Sequence, residues 1–94
     1  MINVIIHFHV NEAYIPVFQQ LTQGNLRTRR AARGNLLVLF YQQIDDPTHF
    51  ILIESFDCQE NIDLYYQQNS YLDWYTQVSP LVESIEGADY ELRF

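Results

Sequence analysis

Two histidines one residue apart, His7 and His9, are the clearest candidates for chemistry in this chain. On a β-strand that spacing puts both imidazoles on one side, where they can carry protons or hold a ligand. A metal would need a third ligand, which only His49 or Glu54 on a neighbouring β-rich run could supply, and no metal site is assigned. A second candidate is the aromatic set Tyr65, Tyr66, Tyr71, Trp74 and Tyr75. Phenols need hydrogen-bond partners, so the tyrosines suit a packed core or a cavity for a flat, polar organic ligand, whereas Trp74 reads as core. Glu54 lies inside the apolar run from Phe50 to Phe56, where a carboxylate is either paired with an arginine or perturbed enough to act as a base. Arg27, Arg29, Arg30 and Arg33 share one window without an acid. They either complement the C-terminal dipole of a helix or form a local site for an anionic ligand. Glycine-rich phosphate loops, paired cysteines and nucleophile elbows are absent from the sequence.

The elements that must position these residues follow from hydrophobic period and turn chemistry. Ile2, Val4, Ile6, Phe8 and Val10 alternate with Asn3, Ile5, His7 and His9, the period of a strand. A first helix is expected from about Glu12–Pro16, with Val17, Phe18, Leu21 and Leu26 on its apolar side. It should end near Arg33–Asn35, where Gly34 can take a left-handed conformation. Leu36–Gln43 and Thr48–Phe56 read as two strands joined by the turn Asp45–Asp46–Pro47. A second helical region opens at Asp57, where Asp57 and Glu60 have the spacing of a capping box. It breaks near Asn69–Ser70, then continues with a stripe of Tyr71, Trp74, Tyr75, Val78, Leu81 and Val82. Glu86–Gly87–Ala88 is expected as the last turn and Asp89–Phe94 as a closing strand. The resulting order, β-α-β-β-α-β, is that of a ferredoxin-like α+β fold, a four-stranded antiparallel sheet with its helices on one face. Neither side of the first strand looks solvated, so the open sheet face calls for a partner, and a two-fold homodimer is expected.

Size and composition bound the function. The chain has 94 residues, 48% of them apolar, with seven Tyr and six Phe, which fits one domain over residues 1–94. A net charge of −7 and the absence of lysine argue against nucleic acid or an anionic membrane as partner. The single cysteine, Cys58, excludes an internal disulfide and agrees with a reducing cytoplasm. The first ten residues lack a basic leader and are too short to span a bilayer, so a cytoplasmic domain is expected.

Three segments taken in order resemble a known family. They are Arg30-x-x-x-Gly34-Asn35-Leu36, then Tyr41-Gln42-x-x-Asp45-Asp46-Pro47-x-x-Phe50, then Glu54-x-Phe56-x-x-x-Glu60. With Ser70-Tyr71-Leu72 and Pro80-Leu81 they resemble the antibiotic biosynthesis monooxygenase (ABM) domain over nearly the whole chain. That resemblance implies a dimeric α+β barrel with a pocket between sheet and helices in each subunit. It also implies a small-molecule substrate and, for the oxygenase members, no cofactor, because the deprotonated substrate itself passes electrons to oxygen. Many members carry histidines in the second helix and in a following Pro-His segment; those places here hold Tyr65 and Ser70, and the haem-degrading constellation is not recognisable. The expected function is therefore a cofactor-independent monooxygenase acting on a small planar hydroxylated or quinol-like molecule. His7 and His9 would be catalytic with Tyr65 and Tyr75, while Asn35, Glu54, Tyr71, Trp74 and Arg30 would contact substrate. The alternatives are a dimeric small-molecule binding or regulatory module without catalysis, or an isomerase like the one that processes the autoinducer-2 signal, with Arg30 in a phosphate clamp.

Overall fold

The alternation in the first strand is realised in full. A computed structural model describes residues 1–94 and places β1 at Ile2–Val10, with Val4, Ile6, Phe8 and Val10 buried and the residues between them half-buried. A short 3₁₀ turn at Glu12–Tyr14 leads into α1, Ile15–Arg30, with Pro16 in its first turn, where a missing N–H costs nothing. The helix closes on Arg27, Arg29 and Arg30 in its last turn, as its dipole favours. It stops short of the expected Arg33, and residues 31–34 form a turn into the next strand. Gly34 sits there at φ 78°. A Cβ at Gly34 would collide with the Asp57 carboxylate and the Asn61 side chain, so both backbone and space demand glycine.

The next two strands are β2, Asn35–Gln42, and β3, His49–Phe56. A short helix α2, Gln59–Tyr65, and a longer one, α3, Asn69–Val78, follow. After a 3₁₀ turn at Ser79–Leu81 comes the last strand, β4, Val82–Glu91. The sheet is antiparallel with strand order β2-β3-β1-β4, the ferredoxin-like arrangement. The core gathers on the helix-covered face, where Phe8, Phe18, Phe50 and Trp74 pack ring against ring with Leu52, Ile62 and Val78 around them.

Two expectations about local structure are corrected. Glu86, Gly87 and Ala88 lie within β4, opposite His7, Ile6 and Ile5 of β1, so the closing strand starts at Val82 and not at Asp89. The helical stripe of apolar residues ran into this strand because Pro80 ends the helix two residues before the pattern fades. The capping box at Asp57 does not form. Cys58 takes the N-cap position without a side-chain cap bond, and the Asp57 carboxylate instead accepts a bond of 2.8 Å from the Asn61 amide. That bond holds the Asp57 carboxyl below its usual value.

Candidate functional site

Strand parity divides the candidate residues between two faces. Register places Glu54 opposite Val4 and Phe50 opposite Phe8, on the side of the helices. His7, opposite Ile51, and His9, opposite His49, point to the other side, which no helix covers. The structure therefore does not bring His7 and His9 together with Tyr65 and Tyr75, because successive residues of a strand face opposite ways.

On the open face the histidines form a cluster of their own. His49 stacks on His9 with ring centroids 4.8 Å apart, and His7 Nδ1 lies 2.9 Å from His49 Nε2. His49 Nδ1 is 2.6 Å from Gln43 Oε1. An amide oxygen only accepts, so His49 donates to Gln43 and its Nε2 accepts the proton of His7 Nδ1. The rings stack in parallel layers, and no group of three His, Cys, Asp or Glu side chains converges as a metal would require.

The helix-side face carries a buried polar network centred on the arginine partner that the sequence context of Glu54 called for. Arg29 Nη1 donates to Glu54 Oε1 at 2.6 Å, with both side chains fully buried. Arg29 Nε donates to Asn25 Oδ1 at 2.5 Å, one helical turn away. Tyr66 donates its phenolic hydrogen to the same Glu54 Oε1 at 3.1 Å, and the Asn35 amide reaches Glu54 Oε2 at 3.3 Å. Asn35 reaches it only through a bulge. The register shift between Asn35 and Leu37 sets Asn35 opposite Phe56 on the helix side, although simple alternation with Leu37 would turn it outward.

Aromatic rings enclose the ion pair. The Arg29 guanidinium carbon lies 4.5 Å from the Trp74 ring centre, 5.5 Å from that of Tyr65 and 5.6 Å from that of Tyr71. Trp74 is core, as its sequence context indicated, and donates Nε1–H to Thr22 Oγ1 at 3.2 Å. Burial pushes the Glu54 carboxyl above its usual value, against the attraction of Arg29. Burial likewise pushes the phenols of Tyr65, Tyr66 and Tyr71 up, and the Glu54 charge adds to the rise at Tyr66. Two atoms in this network are buried without a partner, Arg29 Nη2 and the Tyr65 hydroxyl.

Beside the network a cleft of about 370 Å³ opens between the helices and strands β1 and β4. Tyr66 and Tyr71 form one wall, Val4 and Ile6 the floor, and Ile85, Gly87 and Asp89 the other side. Its size and largely apolar lining suit a small organic molecule. Of the residues singled out in the sequence, Tyr66 and Tyr71 line this cleft, while Glu54 and Tyr65 stand behind it in the network. Tyr75 is 43% exposed and touches the site only through the Tyr71 ring, 6.0 Å away. Arg30 lies elsewhere, donating to the Val38 carbonyl at 3.2 Å beside a separate depression along β2.

Sequence reasoning expected an arginine partner for Glu54 but did not single out Arg29 among the four, and it missed the role of Tyr66. Both had a signal. Asn25 and Arg29 are four apart, on one helix face, and Glu54 in an apolar strand required a cation.

A family model described as antibiotic biosynthesis monooxygenase matches residues 1–77. Among curated proteins, none matches the chain. Several solved structures share its fold. A protein from Nitrosomonas europaea, provisionally named an antibiotic biosynthesis monooxygenase, superposes with a TM-score of 0.94 at 24% identity, covering 100% of both chains. A similarly named protein from Deinococcus radiodurans gives 0.93 at 18% identity over 100% of this chain and 94% of its own. A conserved protein from Methanosarcina mazei gives 0.93 at 15% identity over 98% and 92%.

Proposed function

The chain belongs to the antibiotic biosynthesis monooxygenase family, a monooxygenase-like, small-molecule-binding fold, and on that premise we propose that its helix-side cleft oxidises a small planar hydroxylated molecule without a cofactor. The observation that carries this reading is the hydrogen bond from Tyr66, a cleft wall, to the buried Glu54 carboxylate. A substrate hydroxyl that donates to the Tyr66 oxygen can pass its proton inward while the Tyr66 proton moves to Glu54 Oε1. Glu54 then acts as the base through Tyr66, the role the sequence reading gave to His7. The substrate anion, shielded from water, is the electron donor to dioxygen. For a substrate with a reducing methylene the balance closes as R₂CH₂ + O₂ → R₂CO + H₂O, with all four electrons drawn from the substrate and no metal or flavin required.

The test is oxygen consumption with a panel of quinols and anthrones in metal- and flavin-free buffer. Turnover by the wild-type protein that falls about a hundredfold in Tyr66→Phe supports the relay. No turnover with any member of the panel removes the catalytic reading. A binding module without catalysis is then favoured. Burial, reinforced by the Glu54 charge, holds the Tyr66 phenol far above its usual pKa, so in the relay Tyr66 passes a proton and Glu54 is the base.

We also propose that residues 1–94 form one such domain and that it pairs with a second copy through the open sheet face. Register aligns Leu39, Ile53, Ile5 and Ala88 across all strands there, with Tyr41 and Ile51 in the row on one side and Leu37 and Tyr90 in the row on the other. Leu37, Tyr41 and Tyr90 are each exposed in the isolated chain. An apolar band of this kind is what a two-fold interface covers. No helix is long and apolar enough to cross a membrane.

A further inference from the structure

One charged side chain lines the helix-side cleft, Asp89. Strand parity puts it there. Asp89 pairs directly with Val4, part of the cleft floor, just as Gly87 pairs with Ile6. On the other side of β1, Glu54 of β3 pairs with the same Val4. The two carboxylates therefore flank the floor two strand spacings apart, about 10 Å between backbones. Their electrostatic surroundings differ. Glu54 is buried and balanced by Arg29, whereas no basic side chain lines the cleft to balance Asp89. We propose that Asp89 is a specificity-determining residue of this cleft, and that the ligand it selects is a phenol carrying an ammonium on its side arm, with the hydroxyl lying against Tyr66. The proposal rests on the reading of the cleft as a small-molecule site and adds the charge class of the ligand.

The setting of Asp89 supports this role. Gln59, the first residue of α2, donates from Nε2 to Asp89 Oδ2 at 3.0 Å and to Asp63 Oδ1 at 3.1 Å. Both amide hydrogens are thereby engaged, and Asp89 Oδ1 is left to a donor on the ligand. An amide donor is neutral, so Gln59 fixes the position of the carboxylate without cancelling its charge. The arginines with defined partners are engaged elsewhere, Arg29 with Glu54, Arg30 with the Val38 carbonyl and Arg93 with Glu91. Gly87, two residues before Asp89 on the same side of β4, adds no side chain between the carboxylate and the rest of the cleft. The lining then orders the ligand. Its ring packs against Tyr66, Tyr71 and Ile85, its hydroxyl meets Tyr66 at the Glu54 end, and its cation meets Asp89. An anion at that end would face an unbalanced carboxylate on a chain of net charge −7.

The probes are tyramine, para-propylphenol and para-hydroxyphenylpropanoate, which share a phenol and a two-carbon arm and end in an ammonium, a methyl and a carboxylate. Titration calorimetry compares them on the wild-type protein, on Asp89→Asn and on Asp73→Asn. The last removes an equal charge from an exposed position of α3 outside the cleft. In Asp89→Asn the affinity of tyramine relative to para-propylphenol should fall about fivefold, while para-propylphenol itself stays within about twofold. The propanoate should gain by about the same factor that tyramine loses. Asp73→Asn should leave both ratios within about twofold of wild type. Ratios unchanged in Asp89→Asn, or changed equally by Asp73→Asn, overturn the role of Asp89 and leave the cleft standing. Binding of none of the three removes the cleft reading and the proposal with it. Should Asp89→Asn fold poorly, nuclear Overhauser contacts in the wild-type complex with tyramine decide. Contacts between the aminomethylene protons and Asp89 support the assignment, and contacts of those protons with Tyr66 but not Asp89 overturn it.

Discussion

The two faces of the sheet hold two polar clusters built in different ways. Facing the helices, a charged pair is fully desolvated, tied by four side-chain hydrogen bonds through Asn25, Glu54, Tyr66 and Asn35, and roofed by aromatic rings beside a cleft. On the open face three imidazoles stack in a half-buried layer held by Gln43, next to apolar side chains and no helix. The same strand, β1, floors the first and carries two members of the second. What separates them is the medium. Under the helices each charge is worth far more and each unpaired donor costs more, so chemistry and ligand selectivity concentrate there.

Breaking the ion pair should have the largest effect. Glu54→Ala leaves the Arg29 guanidinium buried and uncompensated, and a stability loss of about 3–5 kcal/mol is expected in urea denaturation. His7→Ala, on the half-buried face, should cost no more than about 1 kcal/mol in the same experiment. Similar losses from both would erase the contrast between the faces.

Filling the cleft comes next. Gly87 faces Ile6 from β4, and a Cβ there would meet Ile6 only at ordinary van der Waals distance, 3.5 Å. Gly87→Leu carries its side chain further into the cleft, and affinity for an aromatic probe should drop about tenfold or more with the fold intact by circular dichroism. Unchanged affinity would place the ligand elsewhere.

These two tests bear on how far the sequence alone could reach. Alternation in β1, the β2–β3 pair and the break between α2 and α3 were legible because each is a local pattern. The division between the faces was not. Period two states that His7 and Glu54-facing Val4 oppose each other, yet which side the helices cover depends on contacts such as Phe8 on Phe18 that span the chain. Asn35 was chosen as a site residue and does reach Glu54, but through a bulge that no residue type announces. Arg29 was hidden among neighbours of its own kind, since Arg27, Arg30 and Arg33 differ from it only in the direction they point around the helix.

The pH dependence gives a smaller but directional effect. Because burial raises the folded-state pKa of Glu54 above its unfolded value, its contribution to stability is full below the unfolded pKa and is lost as pH rises through the folded one. Folding stability from urea titrations should therefore decline with rising pH above the ordinary glutamate value of 4.5, and Glu54→Gln should flatten that decline. The smallest expected change is in oxygen uptake by His7→Ala, which should stay within about twofold of wild type, since its imidazole faces away from the cleft.

Isoleucine methyl groups report on both faces at once. Ile6 and Ile85 line the cleft, whereas Ile51 and Ile53 lie on the open face beside His7 and Ile5. In a methyl NMR titration with para-propylphenol, saturable shifts are expected at Ile6 and Ile85 while Ile51 and Ile53 stay in place. Shifts confined to Ile51 and Ile53 would move the ligand to the histidine face and contradict the assignment of the helix-side cleft as the binding site.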